Sequence, residues 1–374
     1  MKFKPRIAFF LQFMAMGGAE RMMLNLAGGL LARGYPVELV LAQARGPLLE
    51  QVPPEIKIVD LESPRVLSAL PRLVDYFRSA RPDVVLSALT HANLIALWAK
   101  LLSGSRTRVV VSKDFYFSQK VRVAVTRTER LFPLLMRFSY RAADGIIAAS
   151  SGAADALSRL IAIPRQSIAV IHNPVLAGNR IGELAESPLD HPWFREGQPP
   201  VFLSVGRMEA AKDYPTLLRA FAILKESVPS RLIILGDGSL RPQLEALAEE
   251  LGLSGFLEMP GFTNNPFQFM RRSKAVVLSS RWETFGNVLV EAMACGTQVV
   301  STNCPSGPME ILENGDYGWL VPMNNPQALA LAMKEALHNP RPPEKLRTHA
   351  RQFSVDVVTE QYLRILFPEG GPQA

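Results

Sequence analysis

The sequence predicts an α/β protein built from two Rossmann-like domains, on three observations. Short apolar runs of the kind that fill buried parallel strands alternate with helical patterns along the chain. The alternation stops at His172-Asn173-Pro174 and restarts at Val201. The length of 374 residues suits two domains at roughly 150 residues each.

In the first half, Arg6 to Phe13 (RIAFFLQF) is the first strand. Met16-Gly17-Gly18 turns the chain, and Ala19 to Arg33 follows as a helix that Gly34 stops. Further strands are expected at Val37 to Ala42, Ile56 to Asp60, Val84 to Leu86, Arg108 to Val111, Gly145 to Ala148 and Ile168 to Ile171. Residues 175–200 hold Pro188, Pro192, Pro199 and Pro200 without periodicity and read as an inter-domain linker. The second series has strands at Val201 to Val205, Ile233 to Leu235, Phe256 to Met259, Ala275 to Leu278 and Gln298 to Ser301. Its helices fall near 214–227, 240–251, 287–295 and 326–338. Such alternation implies parallel sheets covered by helices on both faces, in domains 1–174 and 201–353. Ligands of such sheets bind at the carboxyl ends of the strands, so the loops after the strands carry the information.

Composition excludes several classes. With 48% hydrophobic and 20% charged residues, the chain has the makings of a packed core and not of a disordered one. Cys295 and Cys304 cannot form a disulfide framework, and no Cys/His spacing fits a zinc site. No stretch of about 18 apolar residues is present, and the start lacks a signal-peptide cleavage site. A soluble, cytoplasmic protein is expected. Charge is uneven: Met1 to Pro174 has 23 basic and 12 acidic residues, the remainder 18 and 22. Lys100 to Arg141 has ten basic residues against Asp114 and Glu129, interleaved with Phe115, Tyr116, Phe117, Leu131, Phe132, Leu134, Leu135, Met136, Phe138 and Tyr140. Two readings of this segment stand. It is an interfacial surface for anionic lipid headgroups, or a solvated basic helix with its apolar face in the core. No nucleic-acid motif accompanies the charge, so nucleic acid is not an expected partner.

The post-strand loops carry the candidate chemistry. Gly17 and Gly18 let a ligand approach the backbone and the N-terminus of the next helix, although paired glycines also serve a plain tight turn. They do not form a G-x-G-x-x-G fingerprint, so no nicotinamide cofactor is indicated. After Val205 comes Gly206-Arg207-Met208-Glu209-Ala210-Ala211-Lys212-Asp213-Tyr214. Gly206 admits a sharp bend. Arg207 and Lys212 suit a diphosphate, one as a fork and one as a point charge, or form a solvated basic pair. Leu235-Gly236-Asp237-Gly238-Ser239 reads as a turn and helix start. The densest signal is SSRWETFGNVLVEAMACG, residues 279–296, with Glu283 in a loop and Glu291 about one turn into a helix. The backbone amides of Gly286 to Val290, among them those of Asn287, Val288 and Leu289, open that helix and suit a diphosphate. The carboxylates suit ribose and sugar hydroxyls, and Glu291 equally suits a carboxylate favoured by the helix dipole.

These blocks resemble the retaining GT-B glycosyltransferases of family four. The matching stretches run in order: MGGAERMMLNLAGGLLARGYPVELV, VGRMEAAKDYPTLLRAFAIL, RLIILGDGSLRPQLEALAEELGL, SSRWETFGNVLVEAMACGTQVVST and SGPMEILENGDYGWLV. His172-Asn173-Pro174 is similar to the segment that closes the family's N-terminal domain. The resemblance implies a GT-B fold, two Rossmann-like domains facing each other across a cleft. It also implies that a last helix, here Ser354 to Phe367, crosses back onto the N-terminal domain. By position, Arg207 and Lys212 resemble the pair that grips the donor diphosphate. Glu291 resembles the ribose-binding glutamate and Glu283 the one near the donor hexose hydroxyls. Gly17 and Gly18 match a glycine loop over the diphosphate, and His91 a histidine near donor or acceptor. Thr284 stands where relatives have glycine, and Lys113-Asp114 where relatives with lipid-linked acceptors often carry a more basic pair.

The implied activity is metal-independent, retaining hexosyl transfer from a nucleotide-sugar, a UDP-sugar, to a glycan or lipid-linked acceptor in bacterial surface polysaccharide or lipopolysaccharide synthesis. The nucleotide-sugar is a substrate, so no cofactor and no bound metal are expected; no Asp-x-Asp segment occurs. A protein handling a lipid-linked acceptor is expected at an anionic membrane surface, peripheral on the inner face. The rival readings are a nucleotide-sugar epimerase of the same fold, a phosphorylase, and a non-catalytic glycan- or nucleotide-binding protein. A phosphorylase would need a pyridoxal-binding lysine, which is not identifiable. A binding protein would be expected to have lost the donor residues.

Overall fold

The computed structural model describes residues 4–15, 17–113 and 132–368. The chain divides into two compact units: Met1–Pro174 with Val355–Ala374, and Val175–Ser354. The first unit has strands β1 (Ile7–Leu11), β2 (Val37–Leu41), β3 (Lys57–Asp60), β4 (Val84–Ala88), β5 (Arg108–Lys113), β6 (Gly145–Ala148) and β7 (Ile168–Val170). Its helices are α1 (Gly18–Ala32), α2 (Leu70–Ala80), α3 (Thr90–Ser103), α4 (Phe132–Ser139) and α5 (Ser151–Ile161). The second unit has β8 (Val201–Val205), β9 (Arg231–Leu235), β10 (Leu257–Gly261), β11 (Ala275–Leu278), β12 (Gln298–Thr302) and β13 (Trp319–Val321). Its helices are α6 (Arg180–Glu186), α7 (Tyr214–Lys225), α8 (Arg241–Glu250), α9 (Phe267–Arg272), α10 (Asn287–Ala294), α11 (Pro308–Ile311), α12 (Pro326–His338) and α13 (Pro343–Ala350). Helix α14 (Val355–Leu366) then returns to the first unit.

In the first unit the strand order is β3-β2-β1-β4-β5-β6-β7, parallel throughout, with Phe9 paired to both Leu39 and Leu86. Strands β1, β2 and β4 are buried at every position, as two-sided helical cover requires. Edge strand β3 carries Lys57 and Asp60 at its ends and is largely exposed, which discourages pairing with a second sheet. The core joins Ile7, Phe9 and Leu11 to Leu26 and Leu30 of α1 and to Val358, Tyr362 and Leu366 of α14. Arg33, just beyond α1, donates to the Glu360 carboxylate at 2.8 Å and the Asp356 carbonyl at 2.9 Å. Gly29 lets the two helices touch, since a Cβ there would lie 2.5 Å from both Thr359 Oγ1 and Val355 Cγ1.

The second unit has the order β10-β9-β8-β11-β12-β13, also parallel. This is the strand order of a dinucleotide-binding fold, with its reversal between β8 and β11. Two sequence readings need correction. Residues 175–200 are not a bare linker: they contain α6 and pack into the second unit. Asn265 Nδ2 donates to the Leu184 carbonyl at 2.8 Å, and His191 Nε2 meets Glu258 Oε2 at 3.0 Å. A seven-residue helix among prolines is too short to show a period. Strand β13 adds a sixth strand to the five expected in this unit. Among the described residues no helix is long and apolar enough to cross a membrane.

The close α1–α14 crossing predicts the cost of crowding it. Gly29→Val would force stiff, β-branched neighbours apart and should destabilise the fold by about 1–3 kcal/mol, read from the denaturant midpoint at unchanged slope.

Candidate functional site

The first unit's strand order reverses between β1 and β4, and the loops after both strands carry sequence candidates. Gly17 is the N-cap of α1 and Gly18 its first residue; a Cβ on Gly17 would run into the buried Glu20 carboxylate. His91 is the second residue of α3, exposed, with its ring 4.7 Å edge-on from Phe132. Leu89 just before α3 is held at φ 73°, ψ 142°, a costly backbone state for a bulky residue. Asp114, Phe115, Tyr116, Phe117, Lys120, Arg122, Arg127, Glu129, Arg130 and Leu131 lie outside the described residues, as does the side chain of Lys113. Of the segment's other basic residues, Lys100 is already paired to Asp144 at 2.5 Å, and Arg108 donates to the Leu366 carbonyl at 3.1 Å.

In the second unit the loops after β8 and β11 meet at the strand reversal. Lys212 Nζ donates to Glu283 Oε1 at 2.6 Å, and Ser280 Oγ donates to the same oxygen at 2.6 Å. The Glu283 side chain is 11% exposed and that of Lys212 22%, so the pair is shielded without being sealed. Backbone contacts fix the approach: Arg281 N donates to the Ala211 carbonyl at 2.8 Å, and Ser279 Oγ to the Lys212 carbonyl at 2.7 Å. Gly206 packs under the lysine; a Cβ there would sit 3.0 Å from Lys212 Cε and 3.3 Å from the Tyr214 hydroxyl. The chain bends at Gly206 as the sequence suggests, and because its φ is not positive the need for glycine there comes from this close packing.

The remaining candidates spread around this pair. Arg207 projects into solvent at 79% exposure and pairs with Glu209 at 3.1 Å, so the structure does not bring it to Lys212. Gly286 caps α10 with φ 106°, and the Leu289 amide donates to the Gly286 carbonyl at 2.9 Å. The Leu289 N–H is therefore taken within the helix. Val288 and Leu289 are both buried. Glu291 is half-buried one turn into α10, beyond its first turn. Behind the Glu283 loop stands the loop after β12. Thr302 Oγ1 donates to the Ser280 carbonyl at 2.6 Å, and Gly307, at φ 107°, lies against the Phe285 carbonyl where a Cβ would collide. Sequence reasoning quoted Ser280, Asp213 and Arg281 without giving them roles, and Thr302 and Gly307 stood in matching blocks; no spacing signals such supporting contacts.

Both cysteines adjoin this region as buried thiols. Burial, with Glu283 adding and Lys212 opposing, pushes Cys304 up to about 12. Burial, then Glu291, pushes Cys295 up to about 12.

Comparison with known proteins places the chain. Its residues 189–353 match the family described as Glycosyl transferases group 1, and residues 16–176 match Glycosyltransferase Family 4. The chain belongs to the family-four glycosyltransferases, and its fold is GT-B. It is 28% identical to N-acetylgalactosamine-N,N'-diacetylbacillosaminyl-diphospho-undecaprenol 4-alpha-N-acetylgalactosaminyltransferase of Campylobacter jejuni, over 96% of this chain and 99% of that protein. It is 29% identical to the lipopolysaccharide core biosynthesis glycosyltransferase LpsE of Rhizobium meliloti, over 94% of this chain and 96% of that protein. The structure of Anabaena HepE in complex with UDP-glucose superposes with a TM-score of 0.79 at 22% identity, covering 98% of this chain and all of that one. The family-four chain is thus a glycosyltransferase with two Rossmann-like domains, one of them holding a charged pair at its strand reversal.

The burial of both thiols has a direct consequence. At pH 8 both stay protonated in the folded state, since each folded value lies well above that pH. A thiol reagent should label neither cysteine in the native protein and both after unfolding in guanidinium; rapid native labelling would contradict this packing.

Proposed function

We propose that this glycosyltransferase is retaining and metal-independent, and moves a hexose from a UDP-sugar to a glycan or lipid-linked acceptor in bacterial surface polysaccharide synthesis. What carries this reading is the Lys212–Glu283 pair, a cation on the loop after β8 and a carboxylate on the loop that leads into α10, held 2.6 Å apart at the strand reversal of a nucleotide-type sheet. The two groups divide the donor's chemistry. Lys212, Arg207 and the first amides of α10, at Asn287 and Val288, suit the diphosphate. Glu283 suits the hexose hydroxyls and Glu291 the ribose. Arg207 is exposed and held by a surface pair of little worth, so it can turn from Glu209 to a ligand cheaply.

In this reading the acceptor hydroxyl attacks the anomeric carbon on the face from which the diphosphate leaves. The sugar–phosphate bond breaks as the new glycosidic bond forms, and the hydroxyl proton passes to the departing diphosphate oxygen. Lys212, Arg207 and the helix amides stabilise the charge that develops there. Two basic side chains thus do the work of a divalent ion, and the nucleotide-sugar is consumed as substrate, so the scheme calls for no cofactor. The acceptor is assigned to the first unit, where Gly17, Gly18 and His91 lie at the other strand reversal. HepE was solved with UDP-glucose, which supports a UDP-sugar, and the Campylobacter and Rhizobium relatives support a lipid-linked or lipopolysaccharide acceptor.

A membrane-held acceptor also fits the surface of the first unit. Leu134 and Phe138 of α4 are 53% and 63% exposed beside Arg137 and Arg141, and Leu101 and Leu102 end α3 in solvent. Trp98 Nε1 donates to Ser139 Oγ at 2.9 Å, joining α3 to the end of α4. This arrangement favours the interfacial reading, with the protein peripheral on the inner face of the cell membrane and no nucleic acid as partner.

Three experiments test the proposal. Arg207→Ala and Lys212→Ala each remove a charge-assisted diphosphate contact, worth on the order of 2–5 kcal/mol, and should lower turnover tenfold per roughly 1.4 kcal/mol while the fold survives. Wild-type turnover should persist in EDTA; a strict metal requirement, or unaltered nucleotide affinity in both variants, contradicts the assignment. For the surface, vesicles of anionic lipid should bind the protein at low salt, more weakly as salt rises and after Leu134→Ser with Phe138→Ser. Each basic residue near the surface is worth about 1 kcal/mol. A protein that ignores anionic vesicles at low salt contradicts the interfacial reading and favours a soluble acceptor.

A further inference from the structure

We infer that Asp213 and Arg281 form a strap that positions Lys212 for the donor diphosphate. The inference rests on the donor-site reading above and adds two positioning residues to it. Asp213 follows Lys212 directly and is 3% exposed, deep burial for a carboxylate. Its backbone sits at φ 46°, ψ 46°, a left-handed state that Asp tolerates better than most residues and that a glycine would adopt freely. Glycine would lose what the side chain does. Asp213 Oδ1 receives Arg281 Nη2 at 3.2 Å, and Oδ2 receives Thr216 Oγ1 at 2.8 Å. One carboxylate therefore anchors the first turn of α7 and reaches the loop after β11.

Arg281 completes the connection from the other side. Its backbone N–H donates to the Ala211 carbonyl at 2.8 Å while its guanidinium holds Asp213, so it grips the residues on both sides of Lys212. Ser279 Oγ takes the Lys212 carbonyl itself. The lysine backbone is thereby fixed to the loop bearing Glu283, and only its side chain is left to move. Burial of Asp213 makes the strap asymmetric: Arg281 is 49% exposed on its side chain, whereas the carboxylate it compensates is inside. Losing the arginine leaves a buried charge uncompensated, so the loop must shift to hydrate it. A lysine carried on a shifting loop meets the diphosphate less often in the right place.

Titration of the full chain with UDP and with uridine, which lacks the diphosphate, tests this. Arg281→Met should weaken UDP about tenfold and leave uridine within about twofold, and Arg281→Lys should recover much of the loss. Asp213→Asn, which keeps the left-handed backbone and the Thr216 contact, should match Arg281→Met, and the double variant should be no worse than either. In a Lys212→Ala background, Arg281→Met should change UDP affinity less than about twofold, because the strap acts through that lysine. Thermal midpoints exclude unfolding, and the double variant removes the buried charge if Arg281→Met alone does not fold. Unchanged UDP affinity, an equal loss for UDP and uridine, or a full effect without Lys212 overturns the strap and leaves the donor site standing. Wild-type UDP affinity in Lys212→Ala alone overturns the strap; wild-type UDP affinity in both Lys212→Ala and Arg207→Ala, or a wild-type protein that binds neither UDP nor GDP, overturns the donor reading and the strap with it.

Discussion

Parallel pairing is the constraint on which this structure depends. In a sheet with one strand direction, every carboxyl end faces the same edge, and where the strand order reverses, two neighbouring connections depart to opposite sides. In the second unit that reversal lies at β8 and β11, tied further by Ser204 Oγ donating to the Val277 carbonyl at 2.7 Å. The loops that follow both start from the crevice this leaves at the strand ends. Lys212 and Glu283, 71 residues apart in sequence, meet at 2.6 Å for this reason. The charged pair is thus a product of topology first and of local sequence second.

A site made of loops needs a rigid backing, and here it is mostly neutral. Phe285 packs edge-on against Phe353 at 5.6 Å, Phe353 against His349 at 5.7 Å, and His349 stacks on Tyr317 at 3.6 Å. His349 Nε2 meets the Ile311 carbonyl at 2.7 Å, which fastens this column to the short helix after Gly307. The Phe353 carbonyl in turn accepts the amides of Val175 and Leu176 at 2.9 and 3.2 Å, where the chain enters the unit. Two buried polar atoms of these loops, Trp282 Nε1 and Ser306 Oγ, have no hydrogen-bond partner among the described residues. Local rules are broken at the site and kept in the aromatic layer behind it, the usual division between function and stability.

Most strands were legible because buried parallel strands are written as unbroken apolar runs. IAFFL, VELVL and RLIIL announce themselves by composition, and the glycine after Arg33 announces the end of α1. A helix too short for a period was not legible: α6, seven residues long. The site was legible as residue types in loops after strands. Its internal connections were not. Nothing in the spacing says that Ser280 and Lys212 share one oxygen of Glu283, that Arg207 turns to Glu209, or that Gly206 is small because a lysine lies across it. Those facts arise from side chains that meet only after the sheet has formed.

Glu283 has an electrostatic task that a neutral side chain would not fulfil. A half-buried lysine left alone would pay for its desolvation, and a carboxylate at 2.6 Å offsets that cost. The same carboxylate would repel a diphosphate if it were free to follow the lysine. Ser280 prevents this: its fully buried hydroxyl holds Oε1 from the protein side, and Thr302 holds the Ser280 backbone. In the proposed donor complex Lys212 therefore turns outward to the phosphates while Glu283 stays fixed, its second oxygen left for a sugar hydroxyl. One ion pair separates into two recognition elements, and the serine hydroxyl decides which partner moves.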